Sequence, residues 1–171
     1  YEIGSGLVGS EMCIRDSHYS EPELIYRKPD SSIIDSAMYE EKGKFYLFVK
    51  SNPNPDNLLL LVSDHVNGKF ERVEGFDDSM GAQTKGMYEA PTAVKVADGR
   101  WCLFADFYGA GCAGQGYVPF VSDDLTKGVF TRADEAFHFP YGFKHGTILP
   151  ITEEEYERML ARDWTDVPDL R

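Results

Sequence analysis

Apolar residues in this chain gather in short runs broken by Gly, Asp and Lys, not at helical spacing. Phe45-Tyr46-Leu47-Phe48-Val49, Leu58-Leu59-Leu60-Leu61-Val62, Trp101-Cys102-Leu103-Phe104-Ala105 and Tyr117-Val118-Pro119-Phe120-Val121 read as strands covered on both faces. Lys42-Gly43 and Asp98-Gly99 sit between such runs and predict hairpins across "AMYEEKGKFYLFVK" and "AVKVADGRWCLFAD". The pattern also repeats. Ile34-Asp35-Ser36-Ala37-Met38-Tyr39, the first hairpin, Leu60-Leu61-Val62-Ser63-Asp64 and Gly68-Lys69-Phe70 return as Tyr88-Glu89-Ala90-Pro91-Thr92-Ala93, the second hairpin, Phe120-Val121-Ser122-Asp123 and Gly128-Val129-Phe130. A period of roughly 54–60 residues with four strands per copy predicts propeller blades, hence an all-β fold. A single helix is expected, after the capping box Thr152-Glu153-Glu154-Glu155, with Ile151, Tyr156, Met159 and Leu160 as a mixed apolar stripe.

The first 17 residues do not share this pattern. Their start is acidic (Glu2) and their longest apolar run is Leu7-Val8, which excludes a secretory signal. Leu7 to Ser17, LVGSEMCIRDS, resembles the in-frame translation of a transposase adapter used in sequencing libraries, and Tyr1-Glu2-Ile3 fits the outer end of the same oligonucleotide. Residues 1–17 are therefore expected to be an adapter-derived artefact, and residues 18–171 the C-terminal part of a single domain whose earlier portion lies upstream.

Charge narrows the partners. The chain carries a net −12, and with one arginine against three acids set aside in residues 1–17, the remainder holds −10. No Lys/Arg cluster is present to meet phosphates, so neither nucleic acid nor an anionic membrane is an expected partner. No obligate protein partner is evident in the sequence. Aromatics at 13% suit strand surfaces and sugar clefts alike. Cys102 reads as a small core residue, and Cys112 lies in a Gly-rich loop that lacks the Gly-Lys-Ser/Thr ending of a phosphate loop.

The feature with chemical promise is a pair of acids, Asp35 and Glu89, at the starts of the innermost strands of consecutive copies. Innermost strands line a propeller's axis, so both acids are expected to face one funnel mouth. Paired carboxylates there are what glycoside hydrolysis requires; acids that merely cap strand ends are the other reading. Lys50 ends its strand, where a solvated lysine is expected before a contact with a substrate hydroxyl.

"IIDSAMYEEKGKFYLFVK", "YEAPTAVKVADGRWCLF", "GYVPFVSDDLTKGVF" and "KHGTILPITEEEYERM" together resemble the C-terminal blades of glycoside hydrolase family 43. The resemblance implies a five-bladed β-propeller, here partial with about three C-terminal blades and a short C-terminal helix. It also implies an inverting glycosidase removing arabinofuranosyl or xylosyl units from plant polysaccharides or oligosaccharides. Glu89 matches the family's general acid, and Asp35 the aspartate that raises the acid's pKa and orients it. His145, in Lys-His-Gly, matches a histidine that contacts substrate or helps hold a hydrated calcium at the axis. The resemblance thus implies a substrate contact at His145 and a metal contact there through water, while Lys50 is the substrate-contact candidate read from its place at the strand end. No cofactor is required, and a structural calcium is the one ion implied. Ala90 stands where the family usually has Gly. The family's general base, an aspartate of the first blade, has no counterpart here, so the chain alone is expected to be inactive. Two other readings keep the fold: a non-catalytic carbohydrate-binding propeller, and a member of a related sucrose-cleaving clan.

Overall fold

Among the described residues, eight strands follow one another as two antiparallel meanders. The computed structural model describes residues 21–52, 58–73, 75–83, 88–108, 116–137, 139 and 142–162. Residues 1–17, His18, Cys112, His138 and the tail from 163 lie outside the described residues. β1 (Ser32–Glu41), β2 (Lys44–Asn52), β3 (Leu58–Ser63) and β4 (Glu71–Arg72) form one sheet in that order. β5 (Tyr88–Lys95), β6 (Trp101–Phe107), β7 (Gly116–Ser122) and β8 (Thr131–Arg132) form the second. Both predicted hairpins are present. Lys42 and Gly43 take φ 54° and 75°, the left-handed pair that lets a two-residue turn follow strand twist. In the other turn Gly99 has φ 89° and the Asp98 carboxylate accepts the Arg100 amide at 3.0 Å.

Why the runs are continuously apolar is plain from the packing. In β2, Tyr46 and Phe48 point to one face while Leu47 and Val49 point to the other. β6 does the same, with Trp101, Leu103 and Ala105 on one side and Cys102 and Phe104 on the other. Tyr46, Phe48, Leu58 and Leu60 then meet Leu103, Ala105, Val118 and Phe120 in one core shared by the two sheets. The two sheets pack face to face, as consecutive propeller blades do. Phe48, Phe76 and Phe130 meet edge to face there with ring centroids 5.5–6.0 Å apart, a favourable aromatic geometry. The Tyr39 hydroxyl accepts the Ala93 amide at 2.7 Å, joining inner strand β1 to inner strand β5.

Two differences from the sequence expectation emerge. A helix, α1 (Phe76–Gln83), crosses from β4 to β5 and buries Phe76 and Met80 in the shared core. Its Gly, Ser and paired Asp hide it from periodicity; it is held by burial and by Ser79, whose hydroxyl exchanges hydrogen bonds with the Phe130 backbone at 2.8 Å. The predicted helix, α2 (Glu153–Ala161), forms with the full capping box between Thr152 and Glu155.

The second difference is blade number. The described residues make two four-stranded sheets, not three, and no closed ring. After β8 the chain makes a 3₁₀ turn at Asp134–Ala136, and the described residues 142–152 belong to no strand or helix before α2 begins. Among the described residues this stretch after β8 forms no ladder. It does cover the outer face of the second blade, where Phe137, Phe139 and Ile148 pack on Cys102, Phe104 and Tyr117. Among the described residues no helix is long and apolar enough to cross a membrane.

Candidate active site

Each inner strand is broken by a bulge at its beginning. In β1, Ile34 pairs with Lys50 and Ala37 with Phe48, so Asp35 and Ser36 together face one residue. In β5, Glu89 pairs with Asp106 and Thr92 with Phe104, leaving Ala90 and Pro91 as the equivalent bulge. Pro91 lacks an amide to pair, and a bulge is where a strand interior tolerates that. Asp35 and Ala90 both take left-handed backbone, φ 52° and 46°.

This register corrects the sequence alignment. Asp35 is equivalent to Ala90, and Glu89 to Ile34, so the two acids are one position out of step. The offset makes them complementary. The Asp35 carboxylate reaches across the blade boundary and accepts the Ala90 amide at 3.1 Å. Glu89, half-buried, turns instead to the far side, where its Oε1 lies 3.5 Å from His145 Nε2. His145 has φ 49° and stands as far beyond Ala90 as Ala90 stands beyond Asp35, 55 residues. The same spacing and left-handed backbone thus recur at His145, with no strand following among the described residues.

Asp106 completes the cluster and was not foreseen from sequence. It is fully buried at the end of β6. Its Oδ2 accepts the His145 amide at 3.0 Å and lies 3.3 Å from the imidazole Nε2, while Oδ1 has no hydrogen-bond partner. Burial pushes this carboxyl above the usual carboxylate range, against the opposing pull of the His145 amide, His145 and Lys144; Glu89 adds to the rise. A charged residue inside an apolar strand, "CLFADF", was the available signal, and Lys50 holds the same register position in the first blade.

Lys50 is not a solvated strand end. It is 3% exposed. Its ammonium lies 3.4 Å from the Tyr88 carbonyl, donates to the Tyr108 hydroxyl, and sits 4.1 Å from the centroid of the same ring. The His145 turn is fastened from a third side: the Tyr117 hydroxyl donates to the Gly146 carbonyl at 2.7 Å and accepts the Gly146 amide. A side chain at Gly146 would come within 3.1 Å of that hydroxyl.

Glu89, Asp106 and His145 bring one ligand atom each to within 4.8 Å of one another. The orphaned oxygen of Asp106 and the exposed imidazole suit a hydrated hard cation, which takes oxygen ligands and reaches histidine through water.

No curated protein matches the chain. A family described as "Probable glycosyl hydrolase domain", and related to glycosyl hydrolase family 43, matches residues 14–157, which takes in the last few residues of the segment read as adapter-derived. Spanning both sheets, Asp35, Glu89 and the His145 turn, that match shows that the chain belongs to the family 43-related glycosyl hydrolases.

Proposed function

We propose that the chain carries the acid half of an inverting glycosidase acting on arabinofuranosyl or xylosyl units of plant polysaccharides or oligosaccharides. The supporting observation is Glu89, half-exposed at a bulge with buried Asp106 and His145 beside it and with Asp35 on the next peptide. Glu89 donates its proton to the glycosidic oxygen as the bond to the anomeric carbon breaks. Asp35 orients Glu89 by holding the following peptide. His145, 55% exposed, is the group placed to meet a substrate hydroxyl. A calcium held through water by His145, beside Asp106, would add positive field at the axis; the proton transfer from Glu89 does not depend on it.

Inversion needs a base to activate water on the opposite face of the sugar, with the two carboxyl groups about 6.5–9.5 Å apart. Asp106 belongs to Glu89's own cluster, within 4.8 Å, and so is too near to be that base. Among the described residues no other acid joins this cluster, and the chain alone is expected not to turn over in water.

Azide tests this, because it attacks the anomeric carbon without a base. Aglycone then leaves with the Glu89 proton and a glycosyl azide forms. The expected result with alkyl arabinofuranosides or xylosides is no turnover in water and azide-dependent turnover that falls by about 10²–10⁴-fold in Glu89→Gln. Hydrolysis in plain water would place a base within the chain. Sugar binding without any azide product would leave the carbohydrate-binding propeller as the reading.

A further inference from the structure

We propose that Lys50 is a positioning residue for Glu89, gripping with Asp35 the two peptide groups that flank it. The inference rests on the reading of Glu89 as the acid. Two of the contacts that cross from the first blade to the second here grip the peptides on either side of Glu89. Lys50 takes the carbonyl of Tyr88, the residue before Glu89, at 3.4 Å; Asp35 takes the amide of Ala90, the residue after, at 3.1 Å. Lys50 opposes Ile34, the neighbour of Asp35, so both grips spring from one corner of the first blade. A cation on one carbonyl and an anion on one amide are charge-assisted contacts of opposite sense, and together they leave the Glu89 backbone little freedom to rotate.

Burial argues that Lys50 works in place and is not a substrate contact. An ammonium removed from water is costly unless its protons are used. Here they are used on Tyr88, on the Tyr108 hydroxyl and over the Tyr108 ring. Tyr108 follows Phe107, which pairs with Tyr88, so Lys50 also secures the end of the strand that carries Asp106. The same device recurs one blade on. Asp106, in the register position of Lys50, reaches forward to the amide of His145 at 3.0 Å. At this position each blade places a buried charge that seats the functional residue of the next unit along the chain.

The test is amide hydrogen exchange by NMR on the full chain, with the Glu89 side-chain carboxyl ¹³C resonance as a second signal. Lys50→Met is expected to speed exchange at Ala90 roughly tenfold or more and to move the Glu89 resonance, with Leu103 and Phe104 as protected as before. Lys50→Arg, which keeps a donor and a cation over the ring, is expected to restore both signals. Unchanged exchange at Ala90 in Lys50→Met overturns the proposal. So does equal loss of protection at Leu103 and Phe104, or failure of Lys50→Met and Lys50→Gln to fold while Lys50→Arg folds, since Lys50 would then hold the fold as a whole. These readouts need no turnover. A failed acid role shows only in the azide assay of Glu89→Gln, so the two failures are told apart.

Discussion

Asp35 combines a left-handed backbone with a contact across the blades, and a substitution series separates the two. At φ 52° an alanine pays about 1–2 kcal/mol that aspartate and asparagine largely avoid. Loss of the acceptor for the Ala90 amide costs about 1.5–3 kcal/mol if the carboxylate is charged, and the lower end applies because Asp35 is only half-buried. Asp35→Ala loses both and is expected to cost about 2–4 kcal/mol. Asp35→Gly loses the acceptor but accepts the backbone, and should cost about 1–2 kcal/mol. Asp35→Asn retains an acceptor and tolerates the conformation, so it should stay within about 1 kcal/mol of the parent while removing the charge. Urea unfolding followed by Trp101 fluorescence, with equal slopes across the series, gives the comparison. Alanine as stable as glycine would refute the backbone argument. Asparagine as damaging as alanine would show that charge, not the hydrogen bond, holds the Ala90 peptide.

Two further outcomes are expected. Ala90→Gly relieves the left-handed backbone at φ 46° and should gain about 0.5–1 kcal/mol, read as a rise of the melting midpoint by about 2–4 °C; an unchanged or lower midpoint counts against strain there. Burial raises the folded-state pKa of Asp106, so the stability it contributes is fully present below the unfolded carboxylate value of about 3.9 and is lost as pH rises through the folded value. Asp106→Asn should therefore gain on the parent as pH rises from about 4 through the folded value, by about 1.4 kcal/mol for every tenfold by which folding weakens the acid, and parallel stability–pH curves would contradict this.

The geometry also gives a reason for the glycine that the family resemblance leads one to expect after Glu89. The residue after Glu89 forms the bulge and takes positive φ, where a side chain is strained. In this chain Ala90 occupies that place, and the Asp35 contact on its amide helps to hold the conformation.

Strand identity, the two hairpins, the repeat and the α2 cap were legible in the sequence because each depends on neighbours along the chain. Apolar runs bounded by Lys42-Gly43 or Asp98-Gly99, and Thr152 followed by Glu155, carry their own geometry. Helix α1 was not legible, since its stability comes from burying Phe76 and Met80 between two sheets. Nor was the relation between the acids. Repeat alignment set Asp35 against Glu89, and only the bulges show them one position apart. Lys50 and Asp106 were hidden for the same reason. A charged residue in an apolar strand has its meaning settled by what the next blade brings to it: the Tyr88 carbonyl for Lys50, the His145 amide for Asp106. Local pattern specified the blades. The site between them depends on contacts spanning tens of residues, which tertiary packing alone brings within hydrogen-bond reach.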